Sequence, residues 1–129
     1  METLLKLGSI GAGGFVGAIL RFLVSGLVQA RSGSVFFPWG TMTVNMIGCL
    51  LIGFLSVLLD SRQLFSHEVR SFFLIGLLGA FTTFSTFGYE NLALIESNRV
   101  DLAAFNGGVQ LVLGVLLVWL GRFLATLWS

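Results

Sequence analysis

Charged residues are scarce in this chain of 129 residues, where they make up 10% of the sequence against 56% hydrophobic residues. Soluble domains average about 25% charged residues, so the chain lacks the polar surface that a water-exposed fold requires. This scarcity argues against a soluble enzyme, and we expect no enzymatic activity. The seven Lys and Arg and six Asp and Glu residues form no basic cluster, so we expect no nucleic-acid partner.

Metal-ligating side chains are equally few. Cys49 is the single cysteine and His67 the single histidine, so neither an intrachain disulfide nor a thiolate and imidazole metal cage can form. We interpret Cys49 as a small buried residue and His67 as a solvated loop residue. Asp, Glu and His are also missing from the middle of every apolar segment, which argues against a proton-coupled pump.

Hydrophobic segments fill almost the whole chain. A membrane span takes roughly 20 apolar residues, and the sequence holds four such segments, at about residues 4–29, 39–59, 69–95 and 102–127. The connections between them are rich in Ser, Gly, Pro or charged residues, as is typical of chain reversals. Residues 1–129 are therefore predicted to form one all-α integral membrane domain with four transmembrane helices, in the cell (inner) membrane.

Basic residues are almost evenly divided between the two ends of the predicted helices. One end has Lys6, Arg62, Arg70 and Arg122, and the other has Arg21, Arg31 and Arg99. Orientation in the membrane follows the Lys and Arg bias of short loops. Because the bias is so small here, the sequence predicts insertion in both orientations.

Glycine marks the faces on which the helices are expected to pack. Gly13 and Gly17 form a G-x-x-x-G pair in span one, and Gly107, Gly114 and Gly121 recur at a regular interval in span four. Small residues let helix backbones approach closely in lipid. Four closely packed helices leave little room for a pore within one chain, so a transport path is expected between the subunits of a homodimer.

Polar side chains inside the predicted spans are concentrated at two places. Asn45 lies in span two, within GTMTVNMIGCLLIG, where its amide suits either an anion or an interhelical hydrogen bond. Thr82, Thr83, Ser85 and Thr86 lie near the middle of span three, within GLLGAFTTFSTFGYE. So many hydroxyls after two glycines predict a third helix broken near the bilayer midplane, where freed backbone carbonyls are ready ligands for a cation.

Two aromatic residues accompany the hydroxyl cluster. Phe84 and Phe87 are three residues apart and share one helix face. In a chain with 13 phenylalanines such a pair is typical of packing, but ring edges carry positive charge and can bind a small anion. Weak binding at several sites is what conduction requires.

Three segments of the chain match one known pattern. They are the Gly-x-x-x-Arg spacing from Gly17 to Arg21, PWGTMTVNMIG from Pro38 to Gly48, and GLLGAFTTFSTF from Gly76 to Phe87 followed by Glu90. Together they resemble the Fluc or CrcB family of small fluoride channels. The resemblance implies an antiparallel, dual-topology homodimer with two pores along the subunit interface. It also implies passive export of fluoride from the cytoplasm, with exclusion of chloride.

The resemblance further implies roles for single residues. Carried over by position, Asn45 lines the pore as an amide donor, and Phe84 and Phe87 present ring edges to fluoride. Gly79 and Thr82 give backbone carbonyls to a structural sodium ion at the dimer centre, which is not transported. The side chains that we expect to replace the water around fluoride are completed by the hydroxyls of Thr41, Thr83, Ser85 and Thr86.

Four further residues are candidates for vestibule or structural roles. Arg21 and Glu90 match motif positions of the family. Family members often carry hydroxyl or Tyr side chains down the fourth helix beside the pore, whereas span four here offers only Asn106 and Gln110. These two amides are four residues apart and share a helix face.

Two other functions fit parts of the pattern. A small dual-topology multidrug exporter shares the size and the balanced charges, but it uses an acidic residue embedded in its first helix, and span one contains no Asp or Glu beyond Glu2 at its start. A non-transporting membrane assembly subunit would use the glycine faces and Asn45 only to join helices. Exchange of Phe84 and Phe87 for Leu separates this second alternative from a channel.

Overall fold

The computed structural model describes residues 1–61 and 65–128, and all regular structure in these two ranges is helical. Its elements are α1 (Glu2–Ser32), α2 (Trp39–Ser61), α3 (His67–Arg70), a π-helical segment (Ser71–Leu77), α4 (Leu78–Phe81), α5 (Phe84–Glu96) and α6 (Val100–Trp128). The predicted all-helical class is confirmed. Arg62, which enters the charge balance, lies outside the described residues.

Within the described ranges, four helical runs are long and apolar enough to cross a membrane, as predicted. They are Glu2–Ser32, Trp39–Asp60, His67–Glu96 and Val100–Trp128, and the expected spans lie within them. Large apolar side chains such as Phe22, Phe84 and Trp119 face outward, which is costly in water but suits contact with lipid. These are the properties of a multi-pass membrane protein.

Close backbone contacts at glycines hold the helices in two pairs. A Cβ atom at Gly17 of α1 would overlap the carbonyl of Leu77 in the third run, and one at Gly121 of α6 would overlap the carbonyl of Leu50 in α2. Glycine is therefore required at both positions, because only a residue without a side chain permits this approach. The third run thus packs on α1, and α2 packs on α6.

The third run changes conformation four times along its length. It begins as α3, widens into the π-helical segment, and returns to α-helix at α4. Thr82 and Thr83 then have extended backbone, with ψ of 160° and 121°, before α5 begins at Phe84. The side chain of Thr83 accepts a hydrogen bond from the Thr86 N–H at 3.3 Å and caps α5. Two extended residues therefore connect α4 to α5.

A side-chain amide organises the connection between α1 and α2. Gln29 Nε2 donates to the carbonyls of Ser34 and Phe37 at 2.8 and 3.1 Å, and Gln29 Oε1 accepts from the Gly40 N–H at 3.1 Å. These bonds satisfy backbone groups that the reversal leaves without helical partners. They also fix the start of α2, the helix that carries Asn45.

Candidate ion site between α4 and α5

Asn45 of α2 binds both backbone polar groups of Thr83. Asn45 Oδ1 accepts from the Thr83 N–H at 2.9 Å, and Asn45 Nδ2 donates to the Thr83 carbonyl at 3.2 Å. The side-chain amide thus pairs with the extended backbone of Thr83 in the way that a neighbouring β-strand would. Because unpaired backbone groups are costly in an apolar interior, these two bonds stabilise the connection between α4 and α5.

The second N–H of the same amide is also used. Asn45 Nδ2 donates to Gln110 Oε1 at 2.7 Å, and a carboxamide nitrogen carries two hydrogens. Asn45 can therefore donate to an ion only by releasing the Thr83 carbonyl or Gln110. Its predicted pore role stays a prediction, and the bonds observed in the single chain join helices.

Three more amides continue from Asn45 through the protein. Gln110 Nε2 donates to Asn106 Oδ1 at 2.9 Å, and Asn106 Nδ2 donates to Asn91 Oδ1 at 3.1 Å. Asn106 is fully buried, and it links α6 to α5 through Asn91. The sequence pattern does not single out Asn91, because Asn91 lies outside the hydroxyl cluster of span three and its partner, Asn106, lies in another span.

A cavity of about 460 Å³ opens beside the extended residues. Seven of the predicted site residues line it: Asn45, Gly79, Thr82, Thr83, Phe84, Phe87 and Gln110. The rest of its wall is apolar or glycine, with Cys49 among the lining residues, and none of the described lining residues is charged. Six of the pore and sodium candidates, together with Gln110, therefore lie around one neutral cavity, and the three helical runs that contribute them are α2, the third run and α6.

The two candidate aromatic rings lie side by side on α5. The ring centroids of Phe84 and Phe87 are 5.6 Å apart with planes at 39°. Phe84 is 82% exposed in the single chain, although it borders the cavity. A packing residue of this size is normally covered, so an intrachain packing role does not account for Phe84.

The candidate sodium ligands have lost their regular helical partners. In a continuous α-helix the Thr83 N–H would bind the Gly79 carbonyl and the Thr86 N–H would bind the Thr82 carbonyl. Here the Thr83 N–H donates to Asn45, and the Thr86 N–H donates to the Thr83 hydroxyl. The interruption thus leaves two carbonyl oxygens, those of Gly79 and Thr82, available to a cation.

The hydroxyl groups divide into two sets. Thr83 donates its O–H to Thr86 Oγ1 at 2.9 Å, and Thr82 donates to the Leu78 carbonyl at 2.9 Å, so both are bonded within the third run. Ser85 and Thr86 are exposed on α5 and do not line the cavity. They can reach an ion only at the mouth of the cavity or at a contact with another molecule.

Thr41, which is buried, and Glu90, which is half-buried, form a separate hydrogen-bonded pair. Thr41 donates to Glu90 Oε1 at 2.6 Å, and Thr41 is 6% exposed. Glu90 Oε2 is buried and has no hydrogen-bond partner among the described residues. Neither residue lines the cavity, and the same is true of Arg21 on α1 and of Asn106.

Comparison with known proteins gives a consistent result. The family model described as "CrcB-like protein, Camphor Resistance (CrcB)" matches residues 9–122. A protein of Hydrogenovibrio crunogenus named fluoride-specific ion channel FluC is 43% identical over 117 residues, which cover 91% of this chain and 88% of that protein. Fluoride-specific ion channel FluC 1 of Methanosarcina acetivorans is 43% identical over 116 residues, covering 90% and 87%.

A further relative, fluoride-specific ion channel FluC of Maridesulfovibrio salexigens, is 46% identical over 105 residues, covering 81% of this chain and 82% of that protein. The matched region extends from α1 to α6 and includes every residue of the cavity. The resemblance that the sequence motifs indicate is confirmed, and the chain belongs to the CrcB family.

Proposed function

We propose that this protein is a fluoride-specific ion channel of the inner membrane, through which F⁻ leaves the cytoplasm passively and intracellular fluoride falls. Relatives that cover most of the chain carry the name of such a channel. The observation that carries the proposal is the neutral cavity in which Asn45, Thr83 and Gln110 meet the rings of Phe84 and Phe87. An anion can enter it without a fixed countercharge that would hold it too tightly to leave.

The chemistry of the cavity suits a small, strongly hydrated anion. Leaving water is costly for fluoride unless other donors replace the hydration shell. Gln110 has one N–H beyond its bond to Asn106, and the Asn45 amide and the Thr82 and Thr83 hydroxyls can donate to the ion when they release their present partners. Ring edges supply weak positive potential. Each contact is weak, so the ion can pass from one to the next.

A second copy of the chain completes the pore in this proposal. The cavity is open on the side of Phe84, and a Cβ atom at Gly79 would meet no atom within 4 Å. An antiparallel partner, which the balanced basic residues permit, would cover this side. Two copies related by a twofold axis contribute two equivalent cavities, and hence two pores.

A structural sodium ion fits the same arrangement. Each chain offers two freed carbonyls at Gly79 and Thr82, so two antiparallel copies offer four oxygen ligands around the axis. A bound cation would neutralise the carbonyl dipoles of both connections and tie the two subunits together. Its role here is structural, and it does not move with fluoride.

Growth in fluoride tests the proposal in a cell. We expect expression of the protein to restore growth of a bacterium without its own fluoride exporter on fluoride medium, because intracellular fluoride then falls. The matched control is Phe84→Leu together with Phe87→Leu, expressed to the same level, which should not restore growth. Rescue by the double variant would favour a helix-joining subunit, and resistance to cationic drugs would favour the exporter alternative.

A further inference from the structure

We propose that Gln110, Asn106 and Asn91 form an amide relay that holds Asn45 in place on Thr83, with Gln110 as the positioning residue of the ion site. The inference rests on the proposed fluoride channel function and adds to it the residues that set the geometry of the site. It is carried by five hydrogen bonds that join α2, α5 and α6.

The relay has a direction that the backbone fixes. The Thr83 N–H can only donate and the Thr83 carbonyl can only accept, so Asn45 must place Oδ1 against the first and Nδ2 against the second. Asn45 then donates its second N–H to Gln110, whose nitrogen faces Asn106. Thr83 therefore determines which way the Asn45 amide faces, and Gln110, itself held by Asn106, accepts the second N–H and keeps the amide in that position.

Because Asn106 is buried, the loss of a hydrogen bond in the relay is costly. Asn106 is 0% exposed, and a buried amide that loses a partner keeps the full cost of leaving water. Hydrogen bonds in a series also polarise one another, so the loss of one weakens its neighbours. A substitution at Asn106 should therefore weaken the hydrogen bonds of Asn45, although Asn106 lies outside the cavity lining.

The relay acts on the ion through Thr83. When Asn45 holds the Thr83 N–H, the Gly79 carbonyl stays free and Thr83 remains extended in front of α5. If Asn45 turned away, the Thr83 N–H would be free to bind the Gly79 carbonyl and extend α4. Such a shift would move both the carbonyl ligands and the start of the helix that carries Phe84.

The test uses two relay variants and one matched control in the full-length protein. Gln110→Met keeps the length of the side chain and removes its hydrogen bonds, and Asn106→Leu interrupts the relay one step further from the cavity. Asn98→Gly removes an asparagine from the loop before α6, where Asn98 has φ of 58° that glycine tolerates. Fluoride and chloride efflux from liposomes and the side-chain ¹⁵N resonances of asparagine are measured for each variant.

We expect Gln110→Met and Asn106→Leu each to lower fluoride efflux about tenfold and to reduce the ratio of fluoride to chloride efflux. Both should move the Asn45 side-chain resonance, one of only four asparagine signals. Asn98→Gly should leave efflux, ratio and the Asn45 resonance unchanged. Unchanged efflux in both relay variants, or reduced efflux with an unmoved Asn45 resonance, would overturn the relay.

Two measurements keep the inference testable if a variant does not fold. In the wild-type protein, both Asn45 side-chain protons should exchange with water far more slowly than those of Asn98, and equal exchange would refute the relay. Asn91→Ala removes the half-buried end of the series and should give the same changes in weaker form. If the wild-type protein conducts no fluoride, the proposed function fails, while the resonance and exchange data still decide whether the relay exists.

Discussion

Single polar residues in this protein act first on the backbone. Asn45 suits both an anion and an interhelical bond when only its sequence position is considered. Its bonds to Thr83 and Gln110 use all the donors of its amide. The sequence motif points to Asn45, but it does not reveal that both N–H groups of the amide are bonded. The reason is that the partners, Thr83 and Gln110, lie in two other helical runs.

Phenylalanine provides the sharpest prediction at the scale of single residues. We expect Phe84→Leu and Phe87→Leu each to reduce fluoride efflux from liposomes by at least about tenfold, because leucine has no positively polarised ring edge for the ion. Phe22→Leu is the matched control, since Phe22 lies on α1 away from the cavity and is 77% exposed, close to the 82% of Phe84. Wild-type efflux in the Phe84 and Phe87 variants would reduce these rings to packing or lipid-facing residues.

At the scale of elements, hydropathy locates each helical run and glycine indicates the packed faces. Gly17 and Gly121 contact neighbouring backbone, as their motifs suggest, whereas a Cβ atom at Gly107 would meet no atom within 4 Å, and Gly107 borders the cavity instead. The regular interval of the glycines in span four does not distinguish a packed glycine from one that borders the cavity, because it does not reveal which partner each helix face contacts. The sequence does not predict the π-helical segment, since SFFLIGL is apolar after Ser71 and contains no proline.

The packing of α1 is tested by adding a single methyl group. We expect Gly17→Ala to lower the thermal stability of the detergent-solubilised protein by several degrees or prevent its folding, because the new Cβ would overlap the Leu77 carbonyl. Gly8→Ala is the control on the same helix, where a Cβ atom meets nothing within 4 Å. If both variants melt at the wild-type temperature, α1 does not pack on the third run as described.

At the scale of the whole molecule, the two ends of the helices carry a few charged contacts. An ion pair joins Arg70 to Asp60 at one end, and Arg99 lies over the ring of Phe36, with 5.5 Å between Cζ and the ring centroid, at the other. Basic residues at both ends are consistent with weak orientation signals. Sequence alone predicts this balance, and the exposed Phe84 and the freed carbonyls are the structural features that support the proposed second copy.

Sodium dependence tests the proposed assembly of two copies around a sodium ion. We expect fluoride efflux to be lost when Na⁺ is replaced by a large organic cation on both sides of the membrane, and to return when Na⁺ is restored. The physical reason is that the carbonyls of Gly79 and Thr82 would then face one another without a cation between them. Unchanged efflux in sodium-free buffer would remove both residues from the proposed metal site.

The most direct test of the central claim is the efflux of fluoride, with chloride as comparison, from liposomes that contain the purified protein. The neutral cavity beside Thr83 and the two rings predicts rapid fluoride efflux down its gradient and no chloride efflux above that of protein-free liposomes. Equal efflux of the two halides, or no efflux of fluoride, would contradict it.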